Sequence, residues 1–411
     1  MRQVTGAVLL AVLAGCSSET QVTQPAEMTA QLSQLPQYEV TMHPASLGGT
    51  LSRGMAINDG GVVGGWSNRA DGTRHAALWQ DGVITDLLTL GGPNSTVPWP
   101  GLNNEGLVVG ISQTNLIDPL NEDWSCEAGG FVPGGLTNLI CRGFVWENGV
   151  MRELPALGGN HSFGAGVNNQ GLVVGWAETA VHDPTCSPLT AQVLQFRAAI
   201  WDPKDGSNGK IKVRELVPLG GDSTSAATAI NDAGIAVGIS GDCDQAVGRF
   251  SARHAVLWDN NGKAVEIPNL GGLTWHTPMD INAQGDVVGF SNPPGENPAG
   301  DFISHAFLWT YGSATAQDLG TLPGDAFSEA FAINAHGQVV GVSFGGASGS
   351  RAFLYQDGVM LDFNTLVGPG NLDVFQSAQD ITDAGQITGR VRDHVTGSTF
   401  MFVATPISNN P

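Results

Sequence analysis

The stretch Gly341-Val342-Ser343-Phe344-Gly345 has the Gly-x-Ser-x-Gly spacing of a nucleophile elbow, in which a serine on a sharp turn attacks an acyl carbon. That chemistry places the serine between a strand and a helix, and no helical periodicity follows Ser343. Gly-x-Ser also stands at Gly110, Gly238 and Gly289, so the serine reads as part of a repeating scaffold. The nine His include no pair at a metal-ligand spacing such as His-Glu-x-x-His. Asp202, Asp205, Asp242 and Asp244 have the right chemistry for Ca²⁺ with backbone carbonyls, but acids in such turns ordinarily face water, and no cofactor is expected. A phosphate loop, a dinucleotide fingerprint and a basic–aromatic stripe are all missing from the sequence.

The elements that position these residues recur. An apolar residue, Asn, two variable residues, Gly, three mostly apolar residues and Gly appear at Asn58, Asn103, Asn168, Asn231, Asn282 and Asn334, with a degenerate copy at Thr382. The interval is about 45 to 65 residues, the period of a propeller or solenoid. Within the first copy, four short apolar stretches (strands A to D) are separated by turn residues, and Asp81-Gly82, Asn148-Gly149 and Asp357-Gly358 suit tight hairpins. The expected fold is all-β: a seven-bladed β-propeller of four-stranded antiparallel blades spanning 36–407.

Two periodic features support this. The first residue of strand C is basic in six copies (His75, Arg142, Arg197, His254, His305, Arg351), and an acid precedes the end of strand D in the same six (Asp86, Glu153, Glu215, Glu266, Asp318, Asp362). Across a hairpin these groups meet diagonally, a structural contact. Trp79, Trp146, Trp201, Trp258 and Trp309, with Tyr355 and Phe402, end strand C and are expected to pack between blades. The seventh copy lacks a strand D, and Tyr38 to His43 supplies one, so the N-terminal strand closes the last blade and removes free edges.

The phrases Ala332-Ile333-Asn334 with Gly337-Gln338-Val339-Val340-Gly341, His305-Ala306-Phe307-Leu308-Trp309 and Asp318-Leu319-Gly320-Thr321-Leu322 resemble the bacterial extracellular HAF repeat. The resemblance implies an exported or surface-exposed protein and carries no catalytic residues. Residues 1–15 read as a signal peptide, too short to span a bilayer. Leu13-Ala14-Gly15-Cys16 resembles the lipobox of bacterial lipoproteins, which implies acylation of Cys16 and anchoring in the lipid membrane. Ser17 in place of Asp favours the outer membrane within the cell envelope, and 16–35 reads as a tether of roughly 25 Å. A formal charge of −21 argues against nucleic acid. Of the remaining cysteines, Cys126–Cys141 and Cys186–Cys243 are the favoured pairs among three possible connectivities.

Variation is concentrated in the B–C and D–A connections on one face, over blades two to five. The function expected is a binding module whose loop face takes a glycan or protein, with Trp99, Trp124, His161, Trp275 and His276 as candidate contacts. The alternative is a glycan-active hydrolase or lyase at the mouth of the axial channel, using Asp280 and Asp380, which stand where sister copies carry small residues. A structural lipoprotein using the outer rim is a third reading. Nothing in the sequence sets the oligomeric state.

Overall fold

The computed structural model describes residues 35–43, 46–122, 133, 137–186, 192–205, 210–244, 248–296 and 301–407. Cys16, the signal segment, nearly all of the tether, Trp124 and Cys126 lie outside them. Gln37–Pro411 forms one compact unit. No helix among the described residues is long and apolar enough to cross a membrane.

Strands come in fours. After β1 (Tyr38–His43) follow β2 to β5 (Gly48–Ile57, Val63–Arg69, Arg74–Gln80, Val83–Asp86) and β6 to β9 (Gly91–Thr96, Val108–Ile117, Leu139–Glu147, Val150–Glu153). Next are β10 to β13 (Gly158–Val167, Val173–His182, Leu194–Asp202, Lys212–Leu216) and β14 to β17 (Thr224–Ile230, Ala236–Gly241, His254–Trp258, Ala264–Ile267). Then come β18 to β21 (Thr277–Ile281, Val287–Ser291, His305–Trp309, Gln317–Gly320) and β22 to β25 (Phe327–Ile333, Val339–Phe344, Arg351–Gln356, Val359–Asp362). The chain closes with β26 to β28 (Val374–Ile381, Ile387–Arg392, Thr399–Pro406).

The strands form five separate four-stranded sheets and one eight-stranded sheet, in which β26-β27-β28 joins β2-β3-β4-β5. That junction is a single bridge, Leu51 with Thr399. β1 pairs antiparallel with β28 over six residues, from Tyr38 opposite Pro406 to His43 opposite Met401. The N-terminal strand thus completes the C-terminal one, as the sequence anticipates. Successive sheets contact each other in chain order, and the last meets the first through β2, β27 and β28, giving a closed β-propeller-like ring.

Local chemistry explains the pattern. Asp81 and Gly82, Asn148 and Gly149, and Asp357 and Gly358 all adopt positive φ, as a two-residue hairpin turn with right-handed strand twist requires. The core lies between neighbouring sheets. Trp79 packs with Met401 across one cleft, Trp201 with Val145 across another, and Trp258 with Val174 across a third. Trp201 Nε1 donates to Pro155 O (2.9 Å) and Trp258 Nε1 to Val217 O (2.6 Å), so each indole also ties its sheet to the preceding one.

The repeat Asn makes the ring. Its Oδ1 accepts turn N–H groups; that of Asn231 takes Ala233 N and Ile235 N, both at 3.1 Å. Its Nδ2 reaches to the next sheet. Asn58 donates to Asn103 O, Asn103 to Asn168 O, Asn168 to Asn231 O, Asn231 to Asn282 O, Asn282 to Asn334 O and Asn334 to Thr382 O, at 2.9–3.3 Å. At the closing junction a different group works: Ile57 N donates to Asp380 Oδ2 (2.7 Å). The repeat serine is also a joint. Ser343 Oγ accepts Leu322 N (3.0 Å) and donates to Asp325 Oδ2 (2.8 Å), and it is buried. Ser343 is scaffold and has no imidazole partner among the described residues.

All six basic–acidic pairs form: His75–Asp86 at 2.7 Å, Arg142–Glu153 at 3.2 Å, Arg197–Glu215 at 3.6 Å, His254–Glu266 and His305–Asp318 at 2.9 Å, and Arg351–Asp362 at 2.8 Å. The geometry is diagonal, since Asp86 stands opposite Ala77 and Asp362 opposite Phe353. Most are half-exposed and contribute little. Arg351 differs because it also pairs at 2.8 Å with Asp325, whose side chain is 1% exposed. Arg351→Met strands that buried carboxylate and is expected to cost about 2–3 kcal/mol in chemical denaturation, against under about 1 kcal/mol for Arg197→Met. Equal costs would refute this distinction.

Candidate functional site

The strand-A positions opposite the residue after the second repeat Gly form one level of the ring. They are Arg53 opposite Trp66, Thr96 opposite Ile111, Phe163 opposite Trp176, Ala226 opposite Ile239, Thr277 opposite Phe290, Glu329 opposite Val342 and Ser377 opposite Arg390. Most copies place small or apolar residues at both members of this pair. Arg53 and Glu329 on strand A, and Arg390, which faces Ser377 from strand B, are the departures, and they sit on sheets next to one another around the closing junction.

A cavity of about 480 Å³ opens there, lined by Arg53, Arg74, Arg390, Trp66, Trp99 and Gln379 among others. Met55, Phe331 and Gln379, each three residues before the repeat Asn or Thr382, form its wall on the innermost strands. Arg74 stacks on Trp66, with the guanidinium carbon 3.8 Å from the ring centroid, and its Nε donates to Asn68 Oδ1 (3.3 Å). Arg53 and Arg390 take part in no ion pair among the described residues, and the Nε atom of each is buried without a hydrogen-bond partner.

Burial, reinforced by the Arg390 charge, pulls the Arg53 pKa down to about 9, and Glu329 acts in the opposite direction. Burial also lowers Arg74 to about 10 and depresses Arg390. All remain cationic at neutral pH. Burial pushes the Glu329 carboxyl up to about 7 despite Arg53, so near neutrality it is only partly ionised. A chain of formal charge −21 therefore concentrates three guanidinium groups at one cavity, where the partly ionised Glu329 is the acid acting on Arg53.

The anticipated contacts distribute differently. Trp99 lines this cavity and packs toward Phe163 and Trp176, with centroids 5.9 and 6.1 Å away. His161, expected on the loop face, is instead 1% exposed; its Nδ1 accepts Cys141 N (3.1 Å) and its backbone N–H donates to Glu178 Oε2 (2.8 Å). His276 is equally buried, its Nδ1 2.7 Å from Ser291 Oγ, and burial lowers its pKa to about 4. Trp275 has φ 63° and meets Phe302 edge-on at 5.2 Å. Trp124 lies outside the described residues.

Asp280 and Asp380 are also joints. Asp280 accepts Ile281 N and, from the next sheet, Ile333 N (2.9 Å); Asp380 accepts Ile381 N and Ile57 N. Burial raises Asp280 to about 6; burial and then the Asp280 charge raise Asp380 to about 8. The acids considered for Ca²⁺ have local partners: Asp242 with Arg253 (2.9 Å), Asp205 with Lys212 (2.8 Å), Asp244 with Phe250 N and Asp202 with Lys204 N. They do not converge on one point among the described residues.

The variable connections begin as strand extensions, with Ile117 opposite Leu139 and His182 opposite Leu194. A disulfide joins Cys186, after β11, to Cys243, after β15, stapling neighbouring sheets as favoured from the sequence. The partner favoured for Cys141, Cys126, lies outside the described residues.

No family model and no curated protein matches the chain. Among solved structures it is similar to a Mycobacterium tuberculosis puromycin-hydrolyzing peptidase (15% identity, 89% of this chain and 56% of that one, TM-score 0.47). It is also similar to Staphylococcus aureus virginiamycin B lyase (11%, 90% and 100%, 0.48) and to the β-propeller domain of the Trilobed protease from Pyrococcus furiosus (9%, 86% and 93%, 0.48). The chain spans about half the length of the Mycobacterium tuberculosis peptidase and of a Pyrococcus horikoshii acylaminoacyl peptidase to which it is also similar.

Proposed function

We propose that the chain is a seven-bladed, lipid-anchored β-propeller of the bacterial cell envelope, held in the outer membrane through acylated Cys16, that serves as a binding module. The blade count follows from reading the eight-stranded sheet as two four-stranded blades, β1 with β26 to β28 and β2 to β5, meeting at the Leu51–Thr399 bridge. The ligand, a glycan or a protein, docks on the face built by the B–C and D–A loops. The observation that carries this reading is the cavity at the channel mouth, concave, walled by Trp66, Trp99 and Phe331, and furnished with convergent arginines.

The alternative of a glycan hydrolase or lyase draws on Asp280 and Asp380, whose carboxylates are engaged by backbone N–H groups of adjoining sheets. That engagement favours binding over acid–base chemistry. The test is a screen of the full-length chain against glycan and envelope-protein arrays. Trp99→Ala should weaken the bound ligand at least about tenfold, and Trp275→Ala far less. Absence of any ligand, or binding indifferent to Trp99→Ala, would refute the proposal.

A further inference from the structure

The channel mouth also indicates what kind of ligand fits, an inference that rests on the binding-module reading. Guanidinium groups do not give up their protons at neutral pH, and a buried cation without a partner is costly. Arg53 and Arg390 converge from β2 and β27, with Arg74 beside them on β4. Glu329 on β22 is the acidic counter-charge acting on Arg53. The planar donor fork of arginine matches the paired oxygens of a carboxylate or sulfate. The cavity is far larger than a bare inorganic ion, and the apolar surfaces of Trp99, Phe331 and Met55 suit the faces of a sugar ring.

We propose that this pocket binds an oxyanion carried on a glycan, a carboxylated or sulfated sugar unit, with Arg53 and Arg390 holding the oxyanion and Trp99 packing against the ring. Glu329 stands at the same level of the ring as Arg53, and its charge acts on Arg53 without pairing with it. When ionised it opposes an anionic ligand, so affinity falls as pH rises through about 7. The other charged groups at the cavity are Arg74 and Arg390, which stay cationic, while Asp280 and Asp380 are outside its lining and are held by the backbone N–H groups of Ile333 and Ile57.

The experiment is titration calorimetry of the full-length chain in detergent with an oligouronate, a sulfated oligosaccharide, a neutral oligosaccharide of equal length and inorganic phosphate. One acidic oligosaccharide should bind at least about tenfold more tightly than the neutral one, and Arg390→Met or Arg53→Met should remove about tenfold or more. Glu329→Gln keeps the pocket's shape and should flatten the pH dependence between pH 6 and 8, which keeps the test decisive if an arginine variant does not fold. Which acidic arm binds distinguishes carboxylate from sulfate. Equal binding of neutral and acidic chains, or retained binding in both folded arginine variants, overturns the inference. Phosphate binding as tightly as either acidic glycan overturns the glycan assignment. Capture of a neutral glycan or a protein alone leaves the binding module standing and removes this inference, whereas no ligand of any kind removes both.

Discussion

Replacing Cys186 and Cys243 by alanine is expected to lower the free energy of unfolding by up to about 4 kcal/mol. The two residues are 57 apart in sequence and belong to neighbouring sheets, so the bond closes a long loop in the unfolded chain and withdraws much of its conformational freedom. Cys243 is buried, and its N–H donates to Thr185 Oγ1 beside Cys186, so the native surroundings hold the two ends together independently of the bond. The measurement is the denaturant midpoint of the full chain with and without reductant, and of the double variant. A change below about 1 kcal/mol would show that the unfolded chain is restrained by other means.

The second large effect is expected at the repeat Asn. Asn231→Ala removes two accepted bonds in its own turn and the donated bond to Asn282 O, at a site 6% exposed. Stranding those groups should cost about 2–4 kcal/mol. Asn231→Asp separates the two roles, because a carboxylate still accepts the turn N–H groups but offers no donor to the next sheet. It should therefore lose stability through the broken link to Asn282 while its turn survives, visible as intact far-ultraviolet dichroism with a lower melting temperature. If Asn231→Asp is as stable as the native chain, the link between sheets contributes nothing.

Much of the fold was legible because its signals are local and repeated. The Asp-Gly and Asn-Gly hairpins, the diagonal pairs such as His75–Asp86 and the Trp residues of strand C each express a short-range rule several times over. The closing strand was legible because the last copy is short by one strand and Tyr38 to His43 supplies it. The amide ring was not. A donor on Asn58 and an acceptor on Asn103 leave no mark at that separation, and the residue reads only as a turn former.

The candidate site was legible in one residue, Trp99. Arg53, Glu329 and Arg390 carried a usable signal, a charge where sister copies have small or apolar residues, but it emerges only when the strands are set in register. The same comparison two residues before the Asn singled out Asp280 and Asp380, which prove to be joints. His161 and His276 belong to connections that look exposed in sequence, yet the long B–C hairpins and the packing beside Ser291 bury them.

The pairing of β1 with β28 has a consequence for synthesis. Every other group of strands is contiguous in the chain and can pair soon after its own residues are made. β1, by contrast, waits for β28, so a nascent chain carries an unsealed ring until Thr399–Pro406 has been made. Any product that stops before Thr399 leaves β27 with an open hydrogen-bonding edge and Tyr38 to His43 without a partner, the combination most prone to pairing with another chain. Synthesis of β28 is thus the event that covers both edges at once and lets the ring close.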